Sequence, residues 1–153
     1  MSERTPSNQP ILQLENYWPY WITVLADRIS RRTSQIVKPH GLNLSQWRVL
    51  AAIAEVPGRS SAEVVQVTPM DKGIVSRATK ALLDRGLLRR KASQTDGRLS
   101  HLFLTPDGQR LYQDIRPQVQ DIVLAAQTEL KPGDQDHLSQ LLRTLVHVLP
   151  DLR

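Results

Sequence analysis

Hydrophobic and polar residues alternate along this chain with a mostly helical period. Between residues 17 and 37 the apolar positions Trp18, Trp21, Ile22, Leu25, Ile29 and Ile36 keep roughly helical spacing, and Pro39 and Gly41 end the pattern. A second helix is predicted from Asn43, whose side chain can cap it with Gln46 as reciprocal partner, and Trp47, Leu50, Ala51 and Ile53 form its apolar face. Pro57-Gly58 stops it. Ser60 with Glu63 repeats the capping signal for a short helix through Ala62, Val64 and Val65. The next start reads from Thr68-Pro69-Met70-Asp71 as a hydroxyl cap, a proline at the first helical position and an acid near the positive helix end. That helix carries Ile74, Val75, Ala78, Ala81 and Leu82 and ends at Gly86.

The period then changes. Two strands are predicted at 87–92 and 99–104, joined through Ser93-Gln94-Thr95-Asp96-Gly97-Arg98, in which Asp-Gly is the hairpin signal. Thr105-Pro106 starts a long helix to about residue 130, with a kink expected at Pro117. After Lys131-Pro132-Gly133, a last helix shows Leu138, Leu141, Leu142, Leu145 and Leu149. The order predicts a mainly α (α+β) fold, a winged helix-turn-helix with extra helices at both ends. Residues 1–10 read as a flexible N-terminal arm and 42–105 as the winged helix-turn-helix DNA-binding domain. Residues 11–41 and 106–153 read as a helical region with more apolar surface than so small a core can use, which predicts a symmetric homodimer.

Charge sharpens this picture. The chain has 153 residues and a net charge of +5, from 20 basic and 15 acidic residues. Residues 70–98 hold 8 basic and 3 acidic side chains, a local +5, while the segments on either side carry +2 and −2. A localised basic patch on a small protein is the footprint of a phosphate-binding surface. Cysteine is absent, which excludes a disulfide framework, a thiolate metal site and a thiol redox sensor. The longest apolar run, residues 49–54, is far too short to span a membrane, and the polar N-terminus is unlike a signal peptide, so a cytoplasmic protein is expected. His40, His101, His137 and His147 include no helical i, i+4 pair, and no nucleophile or phosphate-loop motif occurs. The expectation is no metal, no cofactor, no catalytic residue and no enzyme.

The basic segment has the chemistry of a groove reader. At 100° per residue Lys72, Ser76 and Lys80 share one stripe, with Gly73 and Arg77 beside it and the apolar residues opposite. Arg77 can meet a guanine edge bidentately or hold a phosphate. Arg89, Arg90 and Lys91 lie on the first strand, and Arg98 stands at the hairpin tip, where an arginine suits a narrow minor groove. Asp96 fits as wing support, orienting an arginine or capping the turn.

These residues carry a family resemblance. Leu44-Ser45-Gln46-Trp47-Arg48-Val49-Leu50, then Met70-Asp71-Lys72-Gly73-Ile74-Val75-Ser76-Arg77, Leu82-Leu83-Asp84-Arg85-Gly86-Leu87-Leu88-Arg89-Arg90, Asp96-Gly97-Arg98 and Leu102-Phe103-Leu104-Thr105-Pro106-Asp107-Gly108 resemble the MarR family of bacterial transcriptional regulators. The resemblance implies a homodimer on a pseudo-palindromic double-stranded DNA operator, often displaced by small aromatic acids or phenolic ligands. By the same resemblance, Ser76 and Arg77 read the major groove and Arg98 the minor groove. It also implies a ligand cleft where the first two helices meet the long fifth one, to which Trp21, Trp47 and Arg48 would supply an apolar wall and a cation. The expected function is a sequence-specific transcriptional regulator, a repressor released by a small aromatic carboxylate or phenolic effector. The alternatives are an effector-independent DNA-binding or architectural protein, and a dimerisation protein whose basic face meets acidic partners.

Overall fold

The structure is a computed structural model, in which residues 12–152 are described; the predicted arm at 1–10 lies outside them. The chain forms α1 (Trp18–Val37), α2 (Leu44–Glu55), α3 (Ser61–Val67), α4 (Lys72–Asp84), β1 (Leu88–Ala92), β2 (Ser100–Leu104), α5 (Pro106–Gln127) and α6 (Asp134–Val148). Short 3-10 turns, Leu14–Asn16 and Lys38–His40, flank α1. This mainly helical chain with one antiparallel pair of strands is a winged helix, as the sequence predicts.

Local chemistry explains where the elements begin. Asn43 and Ser60 each form a complete capping box, with Gln46 and Glu63 answering from the third helical position. The Ser60 bonds hold the Glu63 carboxyl below its ordinary pKa, and the nearby charges of His101 and Arg59 add to this. The box is therefore intact at neutral pH and is lost as pH falls through Glu63's lowered pKa.

At the start of α4 the structure corrects the sequence reading. Thr68 ends α3, its hydroxyl donating to the Val64 carbonyl at 2.7 Å, and Asp71 is the cap, its Oδ1 accepting from the Ile74 N–H at 2.8 Å. A carboxylate that bonds the free N–H groups directly outcompetes a hydroxyl three residues upstream.

The hairpin is wider than the Asp-Gly signal suggests. Leu88 pairs with Leu104 and Ala92 with Ser100, and the loop between closes by Ser93 N–H to the Leu99 carbonyl at 2.9 Å. Gly97 is not left-handed, so this is no two-residue turn. Asp96 caps the loop instead: its carbonyl accepts from Leu99 N–H at 3.0 Å and its Oδ1 from Arg98 N–H at 3.0 Å.

Leu50, Ile53, Val64, Met70, Leu82, Leu102 and Ile115 are fully buried, and they join α2, α3, α4, β2 and the first half of α5 in one core. Trp47 stacks on Tyr112 with ring centroids 5.6 Å apart, fastening α2 to α5. The strand edge is anchored as well, since Gly58 N–H donates to Leu102 and Leu102 N–H to Arg59. His101 Nδ1 lies 2.8 Å from the Gly58 carbonyl. α5 runs unbroken through Pro117. The chain ends behave differently: α6 has no buried residue, and Trp18, Leu25, Leu141 and Leu149 are half or more exposed.

Candidate nucleic-acid interface

α4 separates its two faces cleanly. Val75, Ala78, Thr79 and Leu82 are buried, while Lys72, Gly73, Ser76, Arg77 and Lys80 are all exposed. The acids of this segment stay at the helix ends. Asp71 is occupied as the cap, and Asp84 pairs with Lys80 at 2.6 Å. That pair is exposed and worth little, so Lys80 remains available to a phosphate.

Gly73 earns its place by room. A Cβ there would meet the Arg77 Nη1 at 3.4 Å and the Asp71 Oδ1 at 3.3 Å, so the Arg77 guanidinium lies back over the first turn. Arg77 also borders a shallow cleft with Asn43, Ser45, Gln46 and Ile74, at the junction of α2 and α4. A second pocket of about 410 Å³ opens between α3, α4 and β1, edged by Ser61, Gln66, Lys72, Ser76, Thr79 and Arg90. Thr79 was not singled out by the sequence reading. It sits on the apolar face, and its hydroxyl is the one buried side-chain polar atom among the described residues without a hydrogen-bond partner.

Strand alternation sorts the wing's cations. Arg89 stacks over the Phe103 ring, 4.8 Å from its centroid, which steadies the wing base. Arg90 points to the other side and joins Lys72 and Ser76. The sequence places Arg89, Arg90 and Lys91 on one strand; the period of two, counted from buried Leu88, is the signal that singles out Arg90. Arg98 is exposed at the tip, with its backbone held by Asp96.

Of the three residues expected to line a ligand cleft, Trp47 and Arg48 are consecutive on α2, and Trp21 has its own partners near the start of α1. Trp47 is buried against Tyr112. Arg48 is partly buried, its Nη2 donating to Ser30 Oγ at 3.3 Å, and no carboxylate pairs with it among the described residues. Burial lowers its pKa from the usual guanidinium value. Trp21 is half exposed near the start of α1, packed edge-on against Tyr20 with its indole N–H donating to the Glu15 carbonyl at 2.9 Å. It lies nine residues before Ser30, about 13 Å along the helix. Among the described residues no cluster of three or more metal-ligating side chains occurs, and no helix is long and apolar enough to cross a membrane.

Comparison with known proteins adds to this geometry. Residues 40–99, from the turn before α2 to the wing, match the MarR family. Over those residues the chain is similar to the MarR family. A transcriptional regulator of this family from Silicibacter pomeroyi has the same fold, with a TM-score of 0.80 at 23% identity, covering 92% of this chain and 96% of that one. BpsR of Bordetella bronchiseptica, whose DNA binding is regulated by 6-hydroxynicotinic acid, superposes with a TM-score of 0.78 at 23% identity, over 90% of this chain and 98% of that one. In sequence, the homoprotocatechuate degradative operon repressor of Escherichia coli is 26% identical over 115 residues, 72% of this chain and 75% of that protein. The relatives and neighbours that these comparisons name are transcriptional regulators.

Proposed function

We propose that this protein is a homodimeric repressor that places α4 of each protomer in successive major grooves of a pseudo-palindromic operator and Arg98 of each wing in the flanking minor groove. The observation that carries this reading is the α4 surface, where cations and small residues face solvent while both acids are engaged at the helix ends. Lys72, Gly73, Ser76, Arg77 and Lys80 face the DNA, and Arg90 extends their surface from β1. Residues 42–105 form the DNA-binding lobe; 11–41 and 106–153 form the dimer base.

The exposed apolar surfaces of α1 and α6 support the dimer. Trp18, Pro19 and Ile22 of α1 and Leu142, Leu145 and Val146 of α6 line an open apolar recess of about 590 Å³, a surface that a soluble monomer rarely shows. The protein is expected to sediment as a dimer at micromolar concentration and to bind one operator duplex per dimer. Removing α6 from Gly133 onward is expected to yield aggregated or unfolded material; a well-behaved monomer would overturn the proposed base.

The effector reading rests on Arg48. A partly buried cation whose hydrogen-bond partner among the described residues is a serine hydroxyl has unmet capacity for a carboxylate, and it follows Trp47 of the Trp47–Tyr112 stack on α2. The names of the relatives point the same way: an operon for an aromatic acid in one, a hydroxylated aromatic acid in another. A planar aromatic or phenolic acid held by Arg48 acts only by binding the DNA-incompetent arrangement of the lobes better than the competent one. Arg48→Gln is therefore expected to keep operator affinity while abolishing a response to the acid of roughly 5- to 150-fold. An unchanged response in the variant, measured by fluorescence anisotropy of a labelled operator, would leave effector-independent binding as the better reading.

A further inference from the structure

We propose that Arg85 is a positioning residue that sets the angle of the recognition helix against the end of α1, and thereby the half-site spacing the dimer accepts. The inference rests on the dimeric, operator-binding reading above.

Arg85 caps the C-terminus of α4, but its guanidinium serves another element. Nη1 donates to the Gly41 carbonyl at 2.7 Å and Nη2 to the His40 carbonyl at 3.2 Å, across more than forty residues of chain. These two carbonyls lie at the turn that ends α1 and leads into α2. Gly41 adopts φ +73, and where its Cβ would be, the guanidinium lies 3.4 to 3.7 Å away. A residue with a side chain would strain the turn and crowd the arginine. The planar fork, spanning two consecutive carbonyls, restrains orientation as well as distance, which a single ammonium cannot do.

The lever is long. α4 has 13 residues and so spans about 20 Å. A tilt of the lobe by about 10° about the C-terminal end of α4 moves the N-terminus of that helix by about 3.4 Å, the rise along the duplex axis between successive phosphates of one strand. The DNA-facing residues, from Lys72 to Arg77, lie at that moving end, while α1 belongs to the base shared with the second protomer. Loosening the clasp should therefore leave each lobe's own contacts intact and blur only the separation of the two.

The test uses full-length wild type, Arg85→Gln and Arg85→Lys. Each is titrated against a single half-site duplex and against operators carrying the selected spacing or one base pair more or fewer, with thermal melting followed by circular dichroism. Arg85→Gln is expected to match wild type on the half-site and to lose about fivefold or more of the discrimination between spacings. Arg85→Lys, which retains one bond at a time, is expected to fall between the two and decides the matter should the glutamine variant fail to fold. Discrimination as sharp as wild type in the folded variants overturns the proposal, as does an equal loss on half-site and full operator. A wild type indifferent to spacing overturns the dimeric operator reading, and this inference with it.

Discussion

Gly108→Ala is expected to destabilise the protein by about 3 kcal/mol or more, the cost of forcing atoms into a filled space at the upper end of overpacking. A Cβ at this position would stand 2.0 Å from the Leu87 carbonyl oxygen and 3.0 Å from its carbon. Neither neighbour can yield cheaply. Leu87 immediately precedes β1, and its carbonyl accepts from the Thr105 N–H at 3.1 Å. Gly108 is itself fixed as the partner of the Thr105 cap at 3.1 Å, and Thr105 Oγ1 donates to the Gly86 carbonyl at 2.6 Å. The methyl group must push the first turn of α5 away from the chain segment that joins the recognition helix to the wing. Urea unfolding is expected to show the midpoint falling sharply with an unchanged slope. A midpoint within experimental error of wild type would contradict the packing described.

The second large effect concerns DNA. Arg77→Ala and Arg98→Ala together are expected to weaken binding to the selected operator by about 2 to 6 kcal/mol, the sum of two separate contacts worth about 1–3 kcal/mol each. The two losses differ in kind. If Arg77 meets a base, its removal relaxes the preference at one operator position, whereas Lys72→Ala weakens all sequences alike and lowers the salt slope by about one. Equal losses on every sequence for Arg77→Ala would assign that residue to the phosphate backbone. An unaffected affinity in the double variant would remove α4 and the wing from the interface altogether.

Much of this was legible before the structure because the determinants are local. Capping boxes at Asn43 and Ser60 and the cap-plus-proline at Thr105 are satisfied within four residues, so the sequence shows both partners. The same proximity misled at Thr68, where two capping residues lie three apart and only the fold decides which closes the helix. The wing loop was harder, because its closure depends on the pairing of Ser93 with Leu99 across the loop, and the backbone conformation of Gly97 follows from that. The stripe of α4 could be read from its period, but not the sharing of β1 cations between Phe103 and the recognition helix. The separation of Trp21 from Trp47 and Arg48 was invisible, since composition groups the aromatics while helix length along α1 keeps them apart. Arg85 belongs to the same class: nothing short-range links it to Gly41.

Selection of bound sequences from a random duplex library, with the stoichiometry of the recovered complex, tests the central claim most directly. The expected result is an inverted repeat whose half-sites are centred about 10 base pairs apart, occupied by two protomers. Recovery of a direct repeat, of a single isolated half-site bound with full affinity, or of no enriched sequence at all would contradict it.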